Sequence, residues 1–186
     1  MKNVPLISIC IPVYNRKKNL LKLLRSIDHH KDLEIVIFDD GSTDRVKDLL
    51  FKQYPFKIRF FRTKNNRGRS PALSDAILNC FGLFTIIMDS DDYFLPGAIK
   101  LILSKIKKYK NIKSFVFGIK IFRNSTYKKN LPPRNMLVNL LKLRADFRVK
   151  GDLKEVVKTD LLKKCIYKNS YKFKRTPTSL IWFSLG

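Results

Sequence analysis

Short apolar runs alternate with segments of helical spacing over the first 110 residues of the chain. Each run has the length of a buried strand and ends in a polar turn, and between the runs apolar residues recur at helical intervals. The pattern predicts four strands, at residues 6–12, 33–38, 58–61 and 84–88, and four helices, at residues 15–27, 44–53, 70–80 and 96–109.

Strands and helices that alternate at this rhythm are typical of a mostly parallel sheet with helices on both faces. We therefore expect an α/β fold of the Rossmann-like kind. The rhythm changes after residue 110. There the pattern predicts a strand at residues 114–122, a polar loop at 124–133, a helix at 136–143, a strand at 155–158 and a helix from residue 159 or 160.

Polar residues follow three of the predicted strands at their carboxyl ends. They lie at residues 12–15, 39–42 and 89–92. The carboxyl ends of parallel strands share one edge of a sheet, and ligands of open α/β sheets bind at that edge. We therefore expect the three turns to meet in space.

The turn at residues 89–92, here called the acidic turn, has carboxylates at Asp89, Asp91 and Asp92 around Ser90. Carboxylates this close repel one another unless something positive neutralises them. A divalent cation that carries a nucleotide diphosphate is one candidate, because Mg²⁺ and Mn²⁺ prefer hard oxygen ligands. A solvated acidic turn that caps the next helix is the alternative.

Asp39 and Asp40 follow the second strand. An acidic residue at this place commonly binds a nucleoside through a base N–H or a ribose hydroxyl, although helix capping also explains an aspartate there. Arg67 and Arg69 are each a candidate contact to a diphosphate or an ordinary solvated side chain. The chain has no G-x-G-x-x-G and no Walker A sequence, which disfavours classical dinucleotide binding and P-loop phosphoryl transfer.

The formal net charge of +24 is unevenly distributed. Residues 1–96 contain 16 Lys and Arg against 11 Asp and Glu, whereas residues 97–186 contain 23 against 4. A basic surface attracts nucleic acid or an anionic membrane, but a lysine bias from AT-rich coding explains the same count. The sequence has no RNP-like, zinc-finger or helix-turn-helix pattern, so we expect no specific nucleic-acid partner.

Three cysteines without C-x-x-C spacing indicate free thiols in a reducing compartment. No apolar run approaches the roughly 20 residues that span a bilayer. Residues 1–5 also lack the features of a signal peptide. We predict a cytoplasmic protein that attaches peripherally to the inner face of the membrane.

Four ordered motifs carry a resemblance to a known family. They are SICIPVYN at residues 8–15, EIVIFDDGSTD at 34–44, N-x-G at 66–68, and IMDSDD at 87–92 followed by Leu95-Pro96. In this order and spacing they resemble family 2 glycosyltransferases, which have the GT-A fold, over about residues 5–110.

The resemblance implies an inverting glycosyl transfer from a nucleotide sugar, with a UDP-sugar as the donor. Residues 1–110 would form the nucleotide-sugar-binding core, and residues 111–186 the acceptor-side part of the same domain. Asp91 and Asp89 would hold Mn²⁺ or Mg²⁺, with Asp92 as a third candidate ligand. Asp40, together with Asp39, would hold the uracil or its ribose. The residues implied in nucleotide-sugar binding are Pro12, Tyr14, Asn15, Asp39, Asp40, Arg69, Asp89 and Ser90.

The sequence departs from the family in two places. Residues 72–74, Ala-Leu-Ser, stand where the family usually has alanine-arginine-asparagine, so a polar contact on the donor side is lost or moved. The family's base usually lies in an acidic pair further along. Here Asp152, in a loop-like stretch, is the candidate base, with a solvated loop aspartate as the alternative. The other downstream carboxylates are Asp146, Glu155 and Asp160. The apolar residues 181–186 lead us to expect a truncated acceptor side.

The leading hypothesis is a glycosyltransferase that extends a glycan or lipid-linked acceptor in cell-surface polysaccharide synthesis. The missing acidic pair keeps open a catalytically inactive protein that binds nucleotide sugars or acts as a scaffold. A sugar nucleotidyltransferase shares a similar sheet, but residues 13–16 replace its glycine-rich first loop.

Overall fold

The computed structural model describes residues 4–51, 54, 56–119, 153–166 and 174–176. Within these residues the chain forms one six-stranded sheet covered by helices. The strands are β1 (Ile7–Val13), β2 (Leu33–Asp39), β3 (Lys57–Arg62), β4 (Phe84–Ile87), β5 (Ser114–Phe117) and β6 (Lys154–Lys158). The helices are α1 (Lys17–Arg25), α2 (Arg69–Leu78), α3 (Ala98–Lys108) and α4 (Thr159–Lys164), with a 3₁₀ helix at Val46–Phe51.

The strand order is β3-β2-β1-β4-β6-β5. The first four of these strands run parallel, whereas β6 is antiparallel to both β4 and β5. The chain moves outward from β1 to β3 and then returns to place β4 on the other side of β1. The strands β1 and β4 therefore flank a topological switch point, which is where open α/β sheets bind ligands.

Alternation along the strands divides the core between the two faces of the sheet. Ile9 and Ile11 of β1 belong to the cluster that includes α1 and α3, whereas Cys10 belongs to the cluster that includes α2 and α4. Strands β1 and β2 are buried along their whole length, as expected for a parallel sheet covered on both faces. The predicted α/β architecture is confirmed.

Some element boundaries differ from the prediction. The predicted helix at 44–53 is a 3₁₀ helix, in which Asp48 forms ion pairs with Lys17 and Arg45. The predicted strand at 114–122 is shorter, because β5 ends at Phe117, opposite the first residue of its partner β6. The strand and helix predicted from residue 155 are present as β6 and α4. The predicted loop at 124–133 and helix at 136–143 lie outside the described residues.

Candidate functional site

Hydrogen bonds join the loops after β1 and β2 at the carboxyl edge of the parallel strands. Asn15 Oδ1 accepts from the backbone N–H of Thr43 at 2.7 Å, and the N–H of Asn15 donates to Ser42 Oγ at 2.9 Å. Asn15 does not cap α1, whose N-cap residue is Arg16. Asn15 has a φ of 50°, and the N–H of Lys17 donates instead to Asp44 Oδ2 at 2.7 Å.

Asp39 ends β2, and its side chain is fully buried. Its Oδ1 accepts from the backbone N–H of Ser42 at 2.9 Å, and its Oδ2 accepts from Arg62 Nη1 at 2.7 Å. Arg62 Nη2 also donates to the carbonyl oxygen of Ser42 at 2.7 Å. Asp39 and Arg62 therefore fix the shape of the turn after β2, so at least part of the carboxylate's role is local.

Asp40 is also buried and connects this turn to the loop before α2. Its Oδ2 accepts from the backbone N–H groups of Arg67 at 3.1 Å and Gly68 at 2.7 Å. The loop approaches closely at Gly41, where a Cβ atom would lie 2.7 Å from the carbonyl carbon of Asn65. Glycine is required at this position, because its φ of 75° is also unfavourable for other residues.

The acidic turn lies beyond the end of β4, closed by a hydrogen bond from the N–H of Asp92 to the carbonyl oxygen of Asp89 at 3.0 Å. Ser90 is buried, whereas the three carboxylates are about half exposed. Each carboxylate pairs with a basic side chain from a different part of the chain. The pairs are Asp89 Oδ1 with Arg69 Nη2 (2.6 Å), Asp91 Oδ2 with Arg16 Nη1 (3.1 Å) and Asp92 Oδ2 with Lys154 Nζ (3.0 Å).

The acidic turn also limits how a metal ion would bind. Among the residues that the structure describes, no group of three or more His, Cys, Asp or Glu side chains is placed to hold an ion. Mg²⁺ and its relatives commonly use one or two carboxylates, substrate phosphates and water. The half-exposed carboxylates of Asp89 and Asp91 fit this mode, in which the cation arrives together with a diphosphate.

The other predicted site residues occupy different surroundings. Pro12 is buried in β1, and Tyr14 is exposed in the loop that follows. Asp152 lies outside the described residues. Glu155 is buried in β6, one residue from the end of that strand that lies nearest the acidic turn. Asp160 is at the opposite edge of the sheet, because β6 runs antiparallel to β4 and α4 follows it.

A short segment from late in the chain, residues 174–176, packs on the first turn of α2. The N–H of Ser70 donates to the carbonyl oxygen of Lys174 at 3.3 Å, and the N–H of Thr176 donates to Ser70 Oγ at 2.6 Å. A Cβ atom at Gly68 would lie 2.4 Å from the Lys174 carbonyl oxygen. The loop before α2 is therefore held between Asp40 and this segment.

Cys10 lies in β1 on the face that α2 covers. Burial raises the pKa of the Cys10 thiol well above its usual value, and a hydrogen bond with Cys80 adds to the effect. The thiol is therefore neutral near pH 7, which excludes a thiolate nucleophile at this position.

Sequence reasoning missed Arg16 and Lys154, which contact the acidic turn. A basic residue directly after Tyr14 and Asn15 was a usable signal, because the loop after β1 was predicted to lie at the same edge as the acidic turn. No comparable signal existed for Lys154, because its position depends on the antiparallel pairing of β6 with β4.

A parallel sheet with a switch point between β1 and β4, and with an acidic turn after β4, defines an α/β domain of the doubly wound class. Residues 8–160 match the family described as Glycosyl transferase family 2, and the chain belongs to that family.

Solved structures support the same fold. The crystal structure of S. aureus TarS 1–349 in complex with UDP has a TM-score of 0.76 to this chain at 22% identity, covering 96% of this chain and 54% of that one. Mannosyltransferase PcManGT from Pyrobaculum calidifontis, in complex with GDP-Man and Mn²⁺, has a TM-score of 0.57 at 19% identity, covering 88% and 47%. The fold is GT-A.

Named relatives are similar over somewhat more than half of the chain. Chondroitin synthase of Escherichia coli is 38% identical over 112 residues, which are 58% of this chain and 16% of that protein. GalNAc(5)-diNAcBac-PP-undecaprenol beta-1,3-glucosyltransferase of Campylobacter jejuni is 30% identical over 107 residues, which are 55% and 35%. The chain thus spans well under half the length of these relatives. Within the described residues, no helix combines the length and the apolar character needed to cross a membrane.

Proposed function

We propose that this chain carries the nucleotide-sugar site of a glycosyltransferase that moves a sugar from a UDP-sugar to a glycan or lipid-linked acceptor in polysaccharide synthesis. The observation that carries the proposal is the meeting of the loops after β1, β2 and β4 beside the switch point, with the acidic turn among them. Family membership supports the reaction class.

The names of similar proteins support the proposed classes of sugar donor and acceptor. One relative is a chondroitin synthase, and another is named for an undecaprenol-linked acceptor. TarS, similar in fold, has been crystallised with UDP and with UDP-GlcNAc. The nucleotide of PcManGT is GDP-Man, so the choice of UDP for this chain needs a direct comparison with GDP.

The residues around the switch point have distinct proposed tasks. Pro12, Tyr14 and Asn15 line the nucleotide pocket on the β1 side. Asp39 and Asp40 keep their turn and the loop before α2 in place, and they face the uracil or its ribose. The remaining proposed contacts to the nucleotide sugar are Arg69, Asp89 and Ser90.

The proposed metal ligands are Asp91 and Asp89, for Mn²⁺ or Mg²⁺. The bound cation would supply Lewis-acid stabilisation of the negative charge on the departing diphosphate. Arg69 begins α2 and lies 2.6 Å from Asp89, which supports the proposal that it would add a charged hydrogen bond to the diphosphate oxygens.

In the inverting reaction the acceptor hydroxyl oxygen forms a bond to the anomeric carbon as the bond to the diphosphate breaks. A carboxylate takes the hydroxyl proton. Asp152 remains the proposed base. Asp160 is a poor candidate, because α4 carries it to the edge of the sheet opposite the acidic turn.

The absence from the sequence of an acidic pair after residue 92 favours a second candidate function, a protein that binds a nucleotide sugar without transferring it. Both functions predict UDP binding. Transfer or hydrolysis of a UDP-sugar by the full chain distinguishes the first function from the second.

The first test is calorimetric titration of UDP, with GDP in parallel, with and without Mn²⁺. We expect Mn²⁺ to strengthen UDP binding by about tenfold or more, which needs only about 1.4 kcal/mol. Asp91→Asn should abolish this gain, whereas the control Asp160→Asn should keep it. If the wild type binds UDP neither with nor without Mn²⁺, or if Asp91→Asn keeps the full gain, the proposed donor site is wrong.

A further inference from the structure

Arg16 contacts the acidic turn from the loop between β1 and α1. Its Nη1 lies 3.1 Å from Asp91 Oδ2, and the two side chains are 52% and 49% exposed. Arg69 and Lys154 pair with Asp89 and Asp92 in the same way. The three carboxylates of the acidic turn are therefore each paired with a basic side chain of the same chain.

We infer that Arg16 is an exchange residue that couples the metal ion to the nucleotide diphosphate. Without donor, its guanidinium holds Asp91. When UDP and a divalent cation bind together, Asp91 transfers to the cation and Arg16 transfers to the diphosphate. This inference rests on the proposed donor site and makes Arg16 a diphosphate-binding residue within it.

The charges at the turn supply the physical reason. A divalent cation that binds alone enters a site already neutralised by Arg16, Arg69 and Lys154, and it is repelled by them. A diphosphate that binds alone meets the three carboxylates. When both bind, Arg16 leaves Asp91 for the diphosphate, and the freed Asp91 carboxylate binds the cation. The two affinities are therefore coupled, and the coupling is reciprocal.

Arg16 is better suited to this exchange than the other two cations, because it is the most exposed of the three. Arg69 has an exposed fraction of 30% and begins α2. Lys154 has an exposed fraction of 21%, and its Nζ also donates to the carbonyl oxygen of Ile87 at 3.3 Å. An exposed ion pair contributes little to stability, so the Arg16–Asp91 pair can separate at a small cost.

The exchange predicts that removing a cation improves cation binding. Arg16→Gln should raise the affinity for Mn²⁺ alone by about two- to fivefold, the range that an exposed ion pair spans. The same variant should weaken UDP binding in the absence of metal. Electron paramagnetic resonance measures the concentration of free aqueous Mn²⁺ and so gives the Mn²⁺ affinity. Calorimetry measures the UDP affinity.

Lys107→Gln is the matched control. Lys107 also pairs with an aspartate, Asp32, at 3.0 Å and is 56% exposed, but it is in the last turn of α3, and Asp32 directly precedes β2 at the amino edge of the sheet. Its substitution removes the same single charge from a strongly basic chain. Any change in Mn²⁺ affinity that both variants share is a general charge effect.

Asp91→Asn tests the other half of the exchange. It releases Arg16, so UDP without metal should bind about two- to fivefold more tightly than in the wild type. If Arg16 only braces the loop, the gain should be no larger than in Asp92→Asn, which removes the same charge from the same turn but leaves Arg16 paired with Asp91.

The outcomes separate the inference from the proposed function. If the wild type binds UDP with Mn²⁺, but Arg16→Gln binds Mn²⁺ no more tightly than Lys107→Gln, the exchange is wrong and the donor site stands. If the wild type fails to bind UDP with Mn²⁺, the donor site is wrong and the exchange with it. The exchange is supported if Arg16→Gln binds Mn²⁺ more tightly and metal-free UDP more weakly, Asp91→Asn binds metal-free UDP more tightly, and Lys107→Gln leaves both affinities unchanged.

Discussion

Asp39 and Asp40 are buried, although moving a carboxylate out of water costs several kcal/mol unless charges or N–H groups compensate. Arg62 compensates Asp39, and two backbone N–H groups of the loop before α2 compensate Asp40. These partners come from β3 and from the loop before α2. Each carboxylate therefore fixes a distant part of the chain against the site.

Arg62→Met should destabilise the fold by leaving Asp39 buried without its cation. Breaking a fully buried pair costs about 3–5 kcal/mol. Arg62 is 39% exposed, and Asp39 keeps the N–H of Ser42, so we expect a smaller loss of about 2–3 kcal/mol in the free energy of unfolding. Urea unfolding measures it. Arg45→Met, at an 81% exposed arginine, should cost under about 1 kcal/mol. Equal losses in both variants would contradict this account.

The sequence predicted where the acidic residues lie but not how their charges are balanced. Adjacent aspartates after an apolar run indicate a strand end, and that much follows from residue type and spacing. The partner of Asp39 is Arg62 because the parallel register of β2 and β3 places these two residues opposite each other. Register between strands depends on the folded sheet, so no local pattern reveals it.

At the scale of elements, the loop before α2 depends on contacts from both sides. Gly68 has a φ of 101° and donates its N–H to Asp40, while Lys174 lies against the position that a Cβ atom would occupy. Arg69, which pairs with the acidic turn, follows directly. The position of Arg69 beside the acidic turn therefore depends on the contact between residues 174–176 and the loop before α2.

Gly68→Ala should displace residues 174–176 and loosen the start of α2. Gly97→Ala is the matched control, because Gly97 also has a positive φ, 77°, but its Cβ would meet nothing within 4 Å. The control should cost about 1–2 kcal/mol from backbone strain, and Gly68→Ala should cost more. Limited trypsin digestion with mass mapping should show faster cleavage after Lys174 and Arg175 in Gly68→Ala. Unchanged cleavage there would show that the segment does not depend on this close approach.

Elements were predictable where a short apolar run encodes them, as in β1 to β4. They were less predictable where pairing decides their length. Strand β5 stops at Phe117 because β6 begins opposite that residue. The hydrogen bond between Thr176 and Ser70 joins positions 106 apart in the chain, and no pattern in either segment predicts it.

At the scale of the whole chain, the acidic turn is locally neutral while the protein is strongly basic. Three carboxylates and three cations balance there, so the net charge of +24 lies elsewhere, mainly in residues 97–186 with 23 basic and 4 acidic residues. A field of this sign attracts anionic surfaces over distances set by salt. It supports the proposal that the protein attaches peripherally to a membrane that carries lipid-linked acceptors.

The full chain should sediment with vesicles of phosphatidylcholine and phosphatidylserine but not with vesicles of phosphatidylcholine alone. Each Lys or Arg near an anionic bilayer contributes about 1 kcal/mol, so several of the 23 basic residues in the second half suffice. Binding should weaken steeply between about 0.15 and 1 M salt, because the Debye length falls from about 8 to about 3 Å. Equal binding to neutral vesicles, or binding that salt leaves unchanged, would show that charge does not bring the protein to the membrane. Arg16→Gln should bind vesicles nearly as the wild type does, because it removes only one of the 39 Lys and Arg residues and that one lies outside the strongly basic second half.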